Sequence, residues 1–257
     1  MNTKQFILIA LLLILIGCNN ITNDEAKIEL NDLGLKFNEV QFLKAIEYNN
    51  ERAVTLFLIL GINPNINDEF GSSALDIASI DFNEKIIKNL IQHGAKVQGN
   101  LGGETLLSAC WHNNLNIVKI LIQKKTNINF KGFEQITPLM NACIKGNQKL
   151  IAFLVKHGAS INSREKDGFS PLLYACIHNS INAIAYLLRN GADVNQRNKN
   201  DVSPLKISIL NNNLPLVKLL INNGADLSIK DKQGESALSL AIKLGHSDIK
   251  SFIKSKK

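Results

Sequence analysis

The sequence predicts an all-α protein, a solenoid of about seven helix-turn-helix units joined by short β-hairpin fingers. One phrase, "ITPLMNACIKGNQKLIAFLVKHGASIN" from Ile136 to Asn162, returns with changes as "FSPLLYACIHNSINAIAYLLRNGADVN" from Phe169 to Asn195. A small residue within it recurs with successive gaps of 33, 31, 33, 33, 33 and 33 residues, a period that indicates a repeat array. The recurring residues are Ala45, Ala78, Ala109, Ala142, Ala175, Ser208 and Ala241.

Each unit signals the start and the end of its first helix. Thr137-Pro138, Ser170-Pro171 and Ser203-Pro204 come shortly before the small residue, with a weaker version at Ser236-Ala237. A hydroxyl can cap exposed amides and Pro suits the first turn, so a helix begins there. Four residues after the small residue most units carry Asn or Gly, which tolerate left-handed backbone and turn the chain. These turn residues are Asn49, Asn113, Gly146, Asn179, Asn212 and Gly245.

The second helix of each unit is recognised by apolar residues spaced so that they share one face of the helix. Leu150, Ile151, Leu154 and Val155 show its spacing in one unit. The second helix is followed by a Gly, which suits a helix C-terminus. The closing residues are Gly158, Gly191 and Gly224.

Together these residues resemble the ankyrin repeat, whose signature is T-P-L-H-x-A followed by a G-A-D-x-N turn. The resemblance covers about Asn38 to Lys257 and implies a protein-binding array without catalysis. Phe82 stands at one left-handed turn, and Lys125 replaces one closing Gly. Glu104-Thr105 stands for Thr-Pro, after a finger that is two residues short at Val97 to Glu104, where we expect the array to be weakest. The signature His, and with it the usual hydrogen bond between repeats, is replaced by Asp76, Leu107, Met140, Leu173, Lys206 and Ser239.

The first residues are a different kind of sequence. An apolar run from Phe6 to Ile16 follows Lys4; it is too short to span a bilayer and has the length of a secretory signal. Its end, "LIGC", resembles the lipobox of bacterial lipoproteins, which implies cleavage before Cys18 and lipidation of that thiol. An uncleaved membrane helix and a plain signal peptide are the alternatives.

The sequence therefore predicts three segments and a cellular location. Residues 1–17 are a lipoprotein signal peptide, residues 18–37 hold the lipidated Cys18, a polar tether from Asn19 to Glu25 and a possible N-terminal cap, and residues 38–257 form the array. Its last unit is predicted to be a capping repeat, because Lys250 and Lys254 stand at second-helix positions that are apolar in the other units. The predicted location is the bacterial cell envelope, with membrane attachment through the lipid. Asn19 weakly favours the outer membrane.

Composition leaves the partner open. Apolar residues make up 45% of the 257-residue chain and charged residues 20%, so a large core is expected. The net charge of +7 raises nucleic acid or an anionic membrane as partners. The lysines are scattered along the sequence, with one dense group at the C-terminus, and export argues against nucleic acid. We expect a monomer that binds another protein.

No residue pattern predicts an enzyme. Cys110, Cys143 and Cys176 recur at one repeat position and are interpreted as buried small residues, too far apart for disulfides. His112 and His178 lie two repeats apart, too distant to share a metal ion. Sequence motifs for phosphate binding, zinc binding or a nucleophilic serine are missing. We expect no catalytic residue, no cofactor, no metal and no small-molecule substrate.

The partner is expected in the groove lined by the residues before the left-handed turn and by the finger tips. Most of these positions are apolar, and exposed apolar stripes mark interaction sites; the alternative is that the side chains tuck against the fingers as core. Besides an interaction scaffold, a protective or chaperone-like partner of an envelope enzyme and a surface lipoprotein that binds host protein fit the sequence. The candidate groove residues are Phe70, Ile80, Trp111, His112, Phe133, Ile144, Lys145, Phe169, Ile177, His178 and Leu210.

Overall fold

The computed structural model describes residues 21–97 and 99–256, with the backbone alone for Leu101. Cys18 and the expected signal peptide lie outside these residues. Within them the chain forms fifteen α-helices and one 3-10 turn, and only isolated β-bridges. The all-α prediction is confirmed. The chain divides into two compact units, Met1–Ala95 and Lys96–Lys257, called here the N-terminal unit and the C-terminal unit.

The described part of the N-terminal unit contains five helices. They are α1 (Asn23–Asp32), α2 (Glu39–Glu47), α3 (Glu51–Ile59), α4 (Ala74–Ile80) and α5 (Glu84–Gln92). Helix α2 packs against α3 and α4, and α3 packs against α5. First helices therefore lie beside first helices and second helices beside second helices, as a repeat array requires.

Helix α1 precedes the repeats and packs on α3, burying Ala26 and Leu30. It begins at Asn23 because Thr22 and Glu25 form a capping box. Glu29 of α1 accepts hydrogen bonds from Arg52 of α3. The prediction of a tether reaching Glu25 is wrong for residues 23–25, which are helical.

The C-terminal unit continues the same arrangement over ten helices. First helices α6, α8, α10, α12 and α14 pack in succession, and the second helices pack in the same way in the pairs α9 with α11 and α13 with α15. The helices are α6 (Gly99–Trp111), α7 (Leu115–Gln123), α8 (Pro138–Lys145), α9 (Gln148–Lys156), α10 (Pro171–Ile177), α11 (Ile181–Arg189), α12 (Pro204–Leu210), α13 (Leu214–Asn222), α14 (Ala237–Lys243) and α15 (Ser247–Lys254).

The helix starts read from the sequence are confirmed. Thr137, Ser170, Ser203 and Ser236 each accept the backbone N–H three residues on, and Pro occupies the first turn after the first three. The second helices use a signal that the sequence reading missed, an Asn cap. These Asn side chains accept from the first turn at Asn50, Asn83, Asn114, Asn147 and Asn213.

The predicted left-handed turns form in all seven repeats. Phe82, which breaks the Asn/Gly pattern, takes φ 49° like the others, a conformation that is strained for an aromatic residue. The remaining turn residues have φ between 49° and 73°: Asn49, Asn113, Gly146, Asn179, Asn212 and Gly245.

The fingers are tight turns rather than hairpins with strands. One side chain in several fingers, such as Glu165 or Asn198, accepts the backbone N–H groups two and four residues later. This closes the turn on itself, and among described residues only single bridges remain, Asn67 with Ser73 and Lys230 with Ser236. At Gly132, which has no such acceptor, the finger forms the 3-10 turn Phe133–Gln135.

The expected short finger at Val97 to Glu104 is wrong, because residues 99–104 belong to α6. The sequence lacks the Pro that would start this helix later. Two glycines let its first turns pack closely: a Cβ at Gly102 would lie 1.6 Å from the Val97 carbonyl oxygen, and a Cβ at Gly103 would lie 2.2 Å from the Phe130 ring. The division between the two compact units falls just before this helix.

Asparagine side chains join successive repeats. Asn162 donates to the Gly191 carbonyl oxygen at 2.9 Å and accepts from the Asp193 backbone N–H at 2.9 Å. Asn129 and Asn195 make the equivalent pairs of bonds one repeat earlier and one repeat later. These bonds link each repeat to the next at the Asn position of the G-A-D-x-N turn.

We expect Asn162→Ala to destabilise the protein by about 1–2 kcal/mol, because two hydrogen bonds between neighbouring repeats are lost. Urea denaturation followed by circular dichroism measures the change. The matched control is Asn190→Ala, since the Asn190 amide donates within its own repeat, to the Tyr186 carbonyl at 2.8 Å. Equal losses for the two variants would contradict a special role of the bonds between repeats.

Candidate functional site

The predicted groove positions of the C-terminal unit lie at the ends of four successively packed first helices. Trp111, Ile177 and Leu210 are 44%, 41% and 50% exposed, whereas Ile144 is half-buried. Among these four side chains, the interpretation as extra core fits only the half-buried Ile144. The other three side chains, called here the apolar stripe, remain accessible along the unit.

Two of the predicted rim residues are held in place. Lys145 lies with Nζ 3.7 Å from the centroid of the Trp111 ring, and His112 donates from Nδ1 to the Ser108 carbonyl oxygen at 2.9 Å. A cation over an indole ring contributes about 0.5–1 kcal/mol at an exposed site. The contact orders Trp111 before a partner arrives. His178 is exposed at the equivalent position, directly after the last residue of α10.

The finger aromatics of this unit differ in burial. Phe133 is 86% exposed, while Phe169 is half-buried and its ring lies 5.6 Å from that of Tyr174. Burial, together with the carboxylates of Glu165, Glu134 and Asp167, raises the pKa of Tyr174 to about 12. Tyr174 is therefore a neutral phenol at physiological pH.

In the N-terminal unit, the two predicted groove residues are strongly exposed, Phe70 to 85% and Ile80 to 75%. The structure adds Tyr48, which is 75% exposed and stands one residue before the turn residue Asn49. In the C-terminal unit it adds Ile242 and Leu244, 51% and 40% exposed. Leu244 stands at the same register in the last repeat. Applying that register to the first repeat as well would have found Tyr48 from the sequence.

The three cysteines are poor candidates for chemistry. Cys110, Cys143 and Cys176 are fully buried and not disulfide-bonded. Burial raises the pKa of each thiol well above its ordinary value, and Cys176 raises that of Cys143 further. Because the thiolate is the nucleophile, these groups are unreactive. The interpretation as buried small residues is confirmed.

The described residues contain no candidate metal site and no candidate membrane span. No three His, Cys, Asp or Glu side chains among them are grouped so that they could ligate a metal ion. Over the same residues, each helix is too short or too polar to cross a bilayer.

Lys206, which stands where the repeat signature has His, makes a bond that the sequence did not predict. Its Nζ donates to Asp231 at 2.6 Å, linking α12 to the next finger. The Asp231 side chain is only 4% exposed. The ammonium, with the backbone N–H groups of Glu235 and Gln233, holds the pKa of Asp231 below its ordinary value.

This pair predicts a pH-dependent difference between the wild type and Lys206→Met. A lowered carboxyl pKa stabilises the fold fully above the ordinary aspartate range, about pH 4, and that contribution is lost as pH falls through the lowered value. Urea denaturation should therefore show a difference in stability at pH 7 that shrinks at acidic pH. Lys149→Met, an exposed lysine of α9, is the control. A difference independent of pH would contradict this account.

A family model described as ankyrin repeats (3 copies) matches residues 42–132 and 125–198. A second, described as ankyrin repeats (many copies), matches residues 187–241. A search of curated proteins finds no match to this chain.

Proposed function

Because the chain belongs to the ankyrin-repeat family, we propose that it is a lipid-anchored protein of the bacterial cell envelope that binds another protein. Ankyrin repeats mediate protein–protein interaction and are typically non-catalytic. The apolar stripe, with Lys145, His112 and His178 at its rim, is the proposed binding site. The lipid on Cys18 attaches the module to the membrane, with the outer membrane weakly favoured by Asn19.

The exposure of the stripe carries the binding proposal. Trp111, Ile177 and Leu210 each leave 41–50% of their surface exposed to water, and exposed apolar surface on several successive repeats is typical of interaction sites. Trp is also the residue most enriched among those that dominate binding energy. The buried thiols, with raised pKa values, offer no competing chemistry.

The "LIGC" motif supports the anchor. Helix α1 begins at Asn23, so only residues 19–22 separate Cys18 from the folded protein. Such a segment spans at most about 14 Å, and the lipid would hold the N-terminal unit close to the membrane surface.

The binding site is tested with Trp111→Ala combined with Ile177→Asp, in crosslinking on live cells followed by mass spectrometry. Losing a central Trp contact costs about 2 kcal/mol, or about thirtyfold in affinity, so the crosslinked partner should disappear. The control is Ile181→Asp on α11, a side chain 39% exposed on a second helix. If the partner is retained while both variants keep their circular dichroism and melting temperature, the stripe is not the site.

The anchor is tested with Cys18→Ser. Wild-type protein should incorporate labelled palmitate and partition into the detergent phase of Triton X-114, and the variant should lose the label and move to the aqueous phase. Cys176→Ser serves as the control, since its thiol is buried. Labelling that survives in Cys18→Ser would exclude this lipidation site without affecting the binding proposal.

A further inference from the structure

The formal charge of the chain is divided unevenly between its two units. Residues 1–95 hold 7 Lys+Arg against 12 Asp+Glu, a net charge of −5, whereas residues 96–257 hold 22 against 10, a net charge of +12. The two values add to the +7 of the whole chain. A strong charge asymmetry between halves indicates that the charged half meets a partner of opposite sign.

Seven of the 22 cations of the C-terminal unit stand at repeated positions of the fingers. Two finger positions carry Lys or Arg in consecutive repeats, with a spacing of 33 residues. We call them the first and second cation rows. The first row is Lys131, Arg164, Arg197 and Lys230, and the second row is Lys166, Lys199 and Lys232.

Bonds between neighbouring fingers hold the rows together. The Lys166 backbone N–H donates to the Glu134 carbonyl and the Lys199 backbone N–H to the Asp167 carbonyl, both at 2.8 Å. The Lys232 ammonium donates to the Lys199 carbonyl oxygen at 2.8 Å. The Arg164 guanidinium likewise reaches the carbonyl oxygen of Arg197, the next member of its own row, at 2.5 Å. Residues 33 apart in sequence thus become neighbours on one surface.

Most of these cations lack a carboxylate partner. Lys166 lies 3.6 Å from Glu134 and Arg197 lies 3.4 Å from Asp201. For the other members of the two rows, no carboxylate of a described residue is within ion-pair distance. They are Lys131, Arg164, Lys199, Lys230 and Lys232.

Two finger carboxylates form hydrogen bonds within the fold instead of pairing with the cation rows. Glu165 is buried and accepts the backbone N–H groups of Asp167 and Phe169. Asp231 is bound to Lys206. With these two acids used within the fold, the outward face of the fingers carries an excess of positive charge.

The fingers adjoin the groove positions of the first helices. Lys243, the groove residue of the last repeat, donates to Glu235 on its finger at 2.6 Å. Tyr174 of α10 contacts Phe169 at the end of another finger. The fingers that carry the cation rows therefore lie beside the first helices whose ends carry the apolar stripe, so one extended ligand could contact both.

We propose that the partner binds through an acidic polypeptide segment that also carries apolar side chains. Its carboxylates pair with the two cation rows, where Arg offers bidentate geometry, and its apolar side chains cover Trp111, Ile177 and Leu210. This inference rests on the proposed function and specifies its partner. The aliphatic Ile177 and Leu210 suit a protein ligand better than nucleic acid, for which stacking aromatic side chains are expected.

The test measures binding of a fluorescein-labelled peptide of repeated Glu-Glu-Leu units to the purified full-length chain in detergent, by fluorescence anisotropy. The triple variant Lys166→Glu, Lys199→Glu and Lys232→Glu should weaken binding about tenfold or more, and added NaCl should weaken wild-type binding. The control variant makes the same charge change on second helices, with Lys119→Glu, Lys149→Glu and Lys218→Glu. A Lys-Lys-Leu peptide should not bind.

The triple Lys→Gln variant at 166, 199 and 232 is measured alongside, so that the test stands if charge reversal disturbs folding. Equal loss in the row and control variants would show a general charge effect and overturn the inference. Tighter row-dependent binding of an oligothymidylate, or of phosphatidylglycerol vesicles by Cys18→Ser protein, would overturn it in favour of those ligands. Self-association that disappears in the row variant would assign the rows to a second copy of the chain, and this too would overturn it.

The experiments also distinguish failure of the acidic-partner inference from failure of the proposed function. If Trp111→Ala with Ile177→Asp abolishes the crosslink in cells while the row variants bind wild-type amounts of partner, the stripe is the site and the partner is not acidic. If neither set of variants changes the crosslink, both the proposed site and its acidic partner are wrong.

Discussion

The fold depends on one constraint: a single repeat cannot bury its own apolar face. A pair of short helices, such as α8 and α9 of eight and nine residues, encloses little volume. Leu150, Ile151 and Leu154 therefore become fully buried only because helices of neighbouring repeats cover them. Each such side chain contributes about 1.5–3 kcal/mol when it leaves water. Stability is therefore a property of the contacts between repeats, which the bonds of Asn129, Asn162 and Asn195 reinforce.

The same constraint leaves other positions free for binding. The residues just before the left-handed turn stand where the first helix ends, at the edge of the packed interface. Trp111, Ile177 and Leu210 stay exposed there although they are as apolar as the core. The cation–π contact with Lys145 fixes one of them without burying it, which keeps the surface both ordered and available to a partner.

Two sets of polar residues have different roles in the fingers. Carboxylates and amides, as in Glu165 and Asn198, close the turns by accepting backbone N–H groups. Cations stand at equivalent positions of successive fingers and, for the most part, have no carboxylate partner among the described residues. The acceptors within the turns thus shape the fingers, while the cations give the C-terminal unit its positive surface.

The sequence by itself determined the repeat length, the helix starts at Thr137, Ser170 and Ser203, and the left-handed turns, because each depends on residues close together in the chain. It misjudged the segment before Thr105: whether residues 99–104 form a finger or a helix turn depends on the contacts of Gly102 with Val97 and Gly103 with Phe130. The exposure of Trp111 and the partial burial of Ile144 were likewise decided by packing. The members of each cation row recur every 33 residues in the sequence. Only the tertiary contacts between fingers bring residues so far apart in the chain onto one surface.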